Sequence, residues 1–214
     1  MPQLRVAATD ATFELAHSLP QDNDAPPALL LVSAAYPLPD DYQVPELVTL
    51  GAGSTDGSTG IRIAATVQEP LENMLSDSRA AGVGTIFVSS GYRTHEEQAR
   101  LYESAEDKSY VQPPGASEHE TGLALDLGVT DFFAQEWLVE NSWRYGFIVR
   151  YPAGKEHITG ISFEQWHFRY VGVEAAAQCY EQDICLEEYL GMDTSGVNDA
   201  RAQVAPGGLQ GHMR

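Results

Sequence analysis

A chain of 214 residues is long enough for one well-buried domain and short for two. Its formal charge of −19, from 31 acidic against 12 basic residues, argues against nucleic acid as a partner, because phosphate binding needs a concentrated basic surface. The same balance argues against a polybasic membrane anchor, and no stretch approaches the roughly 18 apolar residues of a membrane span.

In chain order, residues 1–28 are polar and Pro-bearing and read as an arm or tail. They show no basic segment followed by an apolar run, so no secretory signal is expected in them and a cytoplasmic location stays open. Residues 29–191 form the expected folded body. Ala64, Val67, Leu71, Met74, Leu75 and Ser78 fall at helical spacing and predict a helix over about 64–81, ended by Gly82 and Gly84. "TIFVSS" (85–90) is a β-branched and aromatic strand closed by Gly91. "THEEQARLYESA" opens with Thr94 as N-cap and Glu97 three residues on, which is a capping box.

Leu123, Leu125 and Leu127 alternate with Ala124, Asp126 and Gly128. The leucines of this strand should therefore face a core and Asp126 the opposite side. "FAQEWLVENSWRYG" predicts a helix ending at Gly146, followed by a strand "FIVRY". In "WHFRYV" (166–171), Trp166, Phe168 and Tyr170 share one strand face, while His167 and Arg169 share the other. A helix over 173–182 follows, and residues 192–214, Gly-rich and without periodicity, read as a disordered tail. Cys179 and Cys185 lack a C-x-x-C spacing and are expected as partly buried thiols, with a local disulfide the alternative in an exported protein. Helices and short strands without regular βα alternation predict an α+β domain with a small central antiparallel sheet flanked by helices.

Three groups could then share one side of that sheet: His119 at a loop end, Asp126 in a strand, and His167 in a later strand. Two imidazoles and a carboxylate suit Zn²⁺, and three protein ligands leave a fourth position open. Hydrogen-bonded structural histidines and an ion-paired Asp are the alternative reading of the same residues. Glu164 adds a carboxylate three residues before His167, a candidate general base. In a fully extended strand those two would face opposite ways, so a turn near Gln165 is required.

The stretches "SGYRTHEEQ" (90–98), "PPGASEHETGLALDLG" (113–128), "YGFIVRYPAGKEHITGI" (145–161) and "FEQWHFRYVG" (163–172) closely resemble the VanY-like D-alanyl-D-alanine carboxypeptidases. These are zinc peptidases of the bacterial cell wall related in fold to the Hedgehog signalling domain. The resemblance extends over the whole folded body and implies a single domain of that fold. Its S-x-H-x-x-G-x-A-x-D pattern falls on Ser117, His119, Gly122, Ala124 and Asp126, and its E-x-W-H pattern on Glu164, Trp166 and His167.

The resemblance thus makes His119, Asp126 and His167 the zinc ligands, Glu164 the catalytic base, and Arg93 the group that grips the scissile carbonyl. Gln98, Ser117, Tyr151 and Trp166 match positions that line the substrate pocket. Gln165 stands where the family usually has Pro, which could loosen the Glu164 segment. The implied partner is a peptidoglycan stem peptide that loses a terminal D-Ala by D,D- or L,D-cleavage. The implied location is the cell envelope or outside the cell, and a monomer is expected. A peptidoglycan endopeptidase and a zinc-stabilised binding module without turnover are the alternatives. Arg150 and Arg169 read as structural ion-pair partners ahead of carboxylate-binding groups. Glu118 and Glu120 are the next candidates as base after Glu164, and His157 is the one competing ligand.

Overall fold

The structure is a computed structural model that describes residues 27–192. The expected arm and C-terminal tail lie almost entirely outside these residues. Two short strands, β1 (Leu47–Thr49) and β2 (Arg62–Ala64), pair antiparallel ahead of the first long helix, α1 (Ala65–Ala80). The sequence pattern marks neither strand, because three residues are too few to display an alternation. Helix α1 keeps the expected apolar stripe, burying Val67, Leu71, Met74, Leu75 and Ser78. Pro70 lies inside it, where it removes one hydrogen bond of the second turn without ending the helix.

The main sheet has the order β3-β4-β6-β5 and is antiparallel throughout. Its strands are β3 (Ile86–Ser90), β4 (Ala124–Val129), β5 (Phe147–Tyr151) and β6 (Glu164–Tyr170). Helix α2 (His95–Ser104) follows β3 and starts with both halves of the Thr94/Glu97 capping box in place. Helix α3 (Phe132–Asn141) ends four residues earlier than the sequence suggests. The chain tightens to a 3₁₀ turn over Ser142–Tyr145 and stops at the left-handed Gly146. A single turn, α4 (Glu156–Thr159), precedes β6, and α5 (Val173–Gln182) and α6 (Leu186–Tyr189) close the described chain.

Each strand of the sheet has two unlike sides. Leu125, Leu127, Val88, Phe147 and Phe168 pack against the stripe of α1 and against Leu138 of α3, forming the main core. On the opposite side Ile148 joins Leu31, Val171, Ala175, Ala176, Cys179, Leu186 and Leu190 in a second apolar cluster under α5 and α6. That cluster covers only the β5 end. The rest of the face carries Asp126, His167 and Arg169, as the strand alternation requires.

Cys179 and Cys185 are both buried and unbonded. Burial pushes each thiol up to about 12, so almost no thiolate exists at neutral pH and thiolate is the reactive form. The folded protein is therefore expected to show no fast reaction with a thiol reagent such as DTNB, and two reactive thiols after unfolding. A stoichiometric burst from native protein would show that one of them is open to solvent.

Candidate metal centre and catalytic cleft

Asp126 occupies the middle of the sheet, paired across β4 with Ser90 on one side and His167 on the other. Directly opposed residues on antiparallel strands put their side chains on the same face, so the register alone brings Asp126 and His167 together. His119 comes from the 3₁₀ turn Glu118–Thr121 immediately before β4, a buried turn in place of the expected loop end. The turn closes on Gly122, which adopts φ +74° and whose absent Cβ would lie 3.0 Å from the Ala64 nitrogen. Only glycine fits that turn.

The ring nitrogens are assigned by their partners. His119 Nδ1 lies 2.7 Å from the Gly91 carbonyl oxygen, which can only accept, so Nδ1 carries the hydrogen and Nε2 is left with a lone pair. That Nε2 is 3.4 Å from Asp126 Oδ1. His167 Nδ1 is 3.2 Å from the same oxygen. Donor atoms of all three residues lie within 4.8 Å of one another. The two shorter separations match the edge of a tetrahedron whose zinc–ligand bonds are about 2.0–2.1 Å, roughly 3.3 Å. Gly91 is itself constrained, since a Cβ there would collide with the Arg62 carbonyl oxygen.

Charge tells the same story as distance. Burial opposes a charge on His167, but Asp126 on one nitrogen and Glu118 on the other outweigh it and raise its pKa to about 9. Burial likewise opposes ionisation of Asp126, yet His119 and His167 hold its carboxyl well below the usual range. His119, with burial dominant, is shifted toward the neutral form that binds metal. A divalent cation between the two rings and Asp126 answers the demand for positive charge that a second proton on His167 otherwise meets. The donor set fits zinc.

Glu164 stands beside this cluster, with Oε2 3.8 Å from His167 Nδ1. The geometric requirement at Gln165 is met by a bulge instead of a turn. Val149 pairs with Phe168 and Tyr151 with Glu164, so β6 carries two more residues than β5 between those pairs. The alternation breaks on both strands within this bulge, since Arg150 and Tyr151 both lie on the His167 side, and Glu164 opposite Tyr151 comes to that side with them. The Gln165 carbonyl accepts a hydrogen bond from Gln135 Nε2 at 3.0 Å, and this together with the Tyr151 pairing holds the segment without proline. Burial pushes Glu164 up to about 7, the range suited to a group that takes and returns a proton.

Arg93 closes the other side. Its Nη2 is 3.9 Å from Asp126 Oδ2, Nη1 donates to Gln98 Oε1, and Nη2 donates to Ser90 Oγ at 3.3 Å. Gln98 donates in turn to the Gln112 carbonyl, so it braces Arg93 from behind. Arg93, Gln98, Ser117, His119, Asp126, Tyr151, Glu164, Trp166 and His167 all line one cleft of about 530 Å³. The Tyr151 ring lies 4.9 Å from that of His167. Trp166, 40% exposed, stacks on Tyr110 at the rim. Tyr110, with Leu101, Val111 and Ile161, adds an apolar wall that the sequence pattern does not reveal, because these residues come from three separate segments.

The competing residues fall away on position. His157 is exposed on α4 and lies outside the cleft. Glu120 accepts from the Gly115 nitrogen at 2.7 Å and pairs with His95 at 3.0 Å, away from the three candidate ligands. Glu118 is fully buried between Arg150 and Arg169, which hold it ionised against burial, well below the usual carboxylate range. Both arginines are thus structural ion-pair partners sealed from the cleft, and Glu118 is not exposed to substrate.

Comparison with known proteins identifies the family and its zinc dependence. The VanY family profile, described as D-alanyl-D-alanine carboxypeptidase, matches residues 60–173. A D-alanyl-D-alanine carboxypeptidase of Enterococcus faecalis is 40% identical over 206 residues, covering 86% of this chain and 74% of its own. Among solved structures, a vancomycin-resistance D,D-pentapeptidase VanY in complex with Zn(II) superposes with a TM-score of 0.66 at 39% identity, over 77% of this chain and 99% of that one. The LD-carboxypeptidase LdcB superposes with a TM-score of 0.69 at 32% identity, over 77% of this chain and 87% of that one. The chain belongs to the VanY family of D-alanyl-D-alanine carboxypeptidases.

Proposed function

We propose that this chain is a zinc-dependent carboxypeptidase that removes the terminal D-Ala from peptidoglycan stem peptides ending in D-Ala-D-Ala. His119, Asp126 and His167 hold the ion, Glu164 is the general base, and Arg93 steadies the carbonyl. The observation that carries this reading is the convergence of His119 Nε2 and His167 Nδ1 on Asp126 Oδ1, with the Glu164 carboxylate 3.8 Å from His167 Nδ1.

When bound, zinc supplies Lewis acidity, which lowers the pKa of water from about 15.7 to about 7 and polarises a carbonyl. Glu164 removes the proton from the attacking water as its oxygen bonds to the amide carbon. The same carboxyl then gives that proton to the departing nitrogen as the C–N bond breaks, leaving a free D-Ala amine and a new carboxylate. Arg93 directs N–H donors from a braced position toward the carbonyl oxygen, where negative charge builds. The apolar wall of Tyr110, Ile161 and Trp166 excludes water from one side of the peptide, and Ser117 offers a hydroxyl to its terminal carboxylate. A binding module has no use for a base and a guanidinium poised on opposite sides of the ligands, which favours turnover. We infer a cell-envelope location from the substrate, and a monomeric enzyme.

His119→Ala is expected to lose both metal and activity, with zinc per protein read by elemental analysis after dialysis. Near-equimolar zinc in that variant would remove His119 from the site. Glu164→Gln is expected to keep its zinc while kcat falls by about 10²–10⁴, the range typical of a general base, because an amide cannot accept the proton. Turnover close to wild type would point to another base. The products of synthetic penta- and tetrapeptides, read by mass with and without chelator, separate D,D- from L,D-cleavage and terminal trimming from internal cutting.

Arg93→Lys tests the third role. A guanidinium is a rigid fork, whereas an ammonium is a mobile point charge. Losing one oxyanion donor costs about 2.7–4 kcal/mol in the barrier, so kcat should drop about 10²–10³-fold with little change in KM or zinc content. Normal turnover in a less stable protein would instead make Arg93 structural.

A further inference from the structure

Among the described residues, two buried side-chain atoms next to the candidate metal cluster lack hydrogen-bond partners, His167 Nε2 and Glu118 Oε2. They face each other at 3.6 Å. The other oxygen, Glu118 Oε1, is fully engaged: Arg150 Nε donates to it at 2.7 Å and Arg169 Nη1 at 2.9 Å. Arg150 also forms a two-pronged pair with Glu187 of α6, at 2.9 and 2.7 Å. Arg169 Nη2 donates to the Ala28 and Leu30 carbonyls. Two arginines and two glutamates thus balance in a fully buried cluster that orients one carboxylate oxygen, Glu118 Oε2, at the back of His167.

We propose that Glu118 is a positioning residue, which accepts the Nε2 hydrogen of His167 and so holds Nδ1 as the metal-binding nitrogen of that ring. This rests on the metal reading above. A neutral imidazole has one N–H and one lone pair. With the lone pair of Nδ1 committed to a cation, the hydrogen must sit on Nε2, and among the described residues the acceptor facing it is Glu118 Oε2. A shift of a few tenths of an ångström brings the pair within hydrogen-bonding distance. His119 obtains the same service from the Gly91 carbonyl, so each histidine ligand has its own acceptor. The two use opposite nitrogens toward the ion because their acceptors sit on opposite nitrogens.

The arrangement makes an isosteric substitution informative. In Glu118→Gln, the N–H groups of Arg150 and Arg169 demand an oxygen at the Oε1 position. The amide nitrogen must then face His167, where it donates. The ring is driven to offer the Nε2 lone pair and to carry its hydrogen on Nδ1, the position the metal needs. Glu187→Gln removes one negative charge from the same cluster without touching His167.

The experiment measures zinc affinity of the purified proteins by competition with a chromophoric chelator, and the Co²⁺ ligand-field spectrum of each. Wild-type protein in the same assay must bind one zinc, which separates a failure of Glu118 from a failure of the metal site itself. The expected result is a 10–100-fold loss of zinc affinity in Glu118→Gln, the size usual for a carboxylate behind a ligating histidine, with an altered Co²⁺ spectrum. Glu187→Gln is expected to melt lower yet bind zinc within about threefold of wild type and with an unaltered spectrum.

Equal losses in the two variants would mean that metal affinity follows the cluster's general integrity, and unchanged affinity in Glu118→Gln would mean that His167 needs no such acceptor. Either result overturns the proposal. Should Glu118→Gln not fold, ¹⁵N-histidine NMR of the zinc-loaded wild type decides. A slowly exchanging, downfield Nε2 proton on His167 supports the hydrogen bond, and an Nε2 proton in fast exchange overturns it.

Discussion

The site depends on the antiparallel register of β4 with its two neighbours. Asp126 faces Ser90 across one pairing and His167 across the other, so a slip by one residue on either side would turn its carboxylate into the core. That register is secured from the apolar side. Leu125 and Leu127 are enclosed by α1, and Phe168, opposite Leu125, is fully buried. The pleat then converts a packing constraint into a chemical one. Where the leucines must go in, the aspartate and the histidine must come out together.

A second constraint acts behind the metal cluster. Arg150 and Arg169 are both fully buried, and burying such charges costs several kcal/mol each unless they are paired with good geometry. Glu118 and Glu187 supply that pairing, and the two backbone carbonyls of residues 28 and 30 complete it. Removing one partner from such a group strands its neighbour in a low dielectric, which is more damaging than losing an apolar contact of similar size. Buried pairs of this kind add little net stability, so their presence here needs another reason. The proposed orientation of His167 provides one. The cluster also ties the first described residues and the last helix to the catalytic face, drawing both ends of the domain toward the centre of the sheet.

Much of this was legible in the sequence, because much of it is local. The Thr94–Glu97 capping box, the leucine alternation over 123–127 and the stripe of α1 are short-range patterns with one physical solution each. The need for a departure from extended backbone at Gln165 followed from strand parity alone, although whether a turn or a bulge met it depended on where β5 pairs. The buried cluster was less accessible. Its ion pairs join residues 32, 37 and 51 positions apart, and nothing in the neighbourhood of Glu118 distinguishes it from the other acids of a chain that has 31. Only the fold reveals that Glu118 and Glu120, two residues apart in one turn, face opposite ways, one to the arginines and the other to His95 and Gly115.

The shape of the cleft follows from how its two walls are built. The proposed metal ligands and Glu164 stand on the sheet, with backbones fixed by ladder hydrogen bonds, or in the turn leading into it, and all but Asp126 have side chains almost fully buried. The opposite wall is made by Leu101 of α2, by Tyr110 and Val111 in the connection after it, and by Ile161 before β6. Those groups approach through side chains alone, and Trp166 and Tyr110 remain substantially exposed. Groups that handle protons and charge must be positioned within a fraction of an ångström, whereas an apolar wall needs only to exclude water and fit a methyl group. The division places the rigid elements under the chemistry. Among the described residues that line the cleft, Arg93 is the cation, it approaches from outside the sheet, and it has a brace of its own through Gln98 and Ser90.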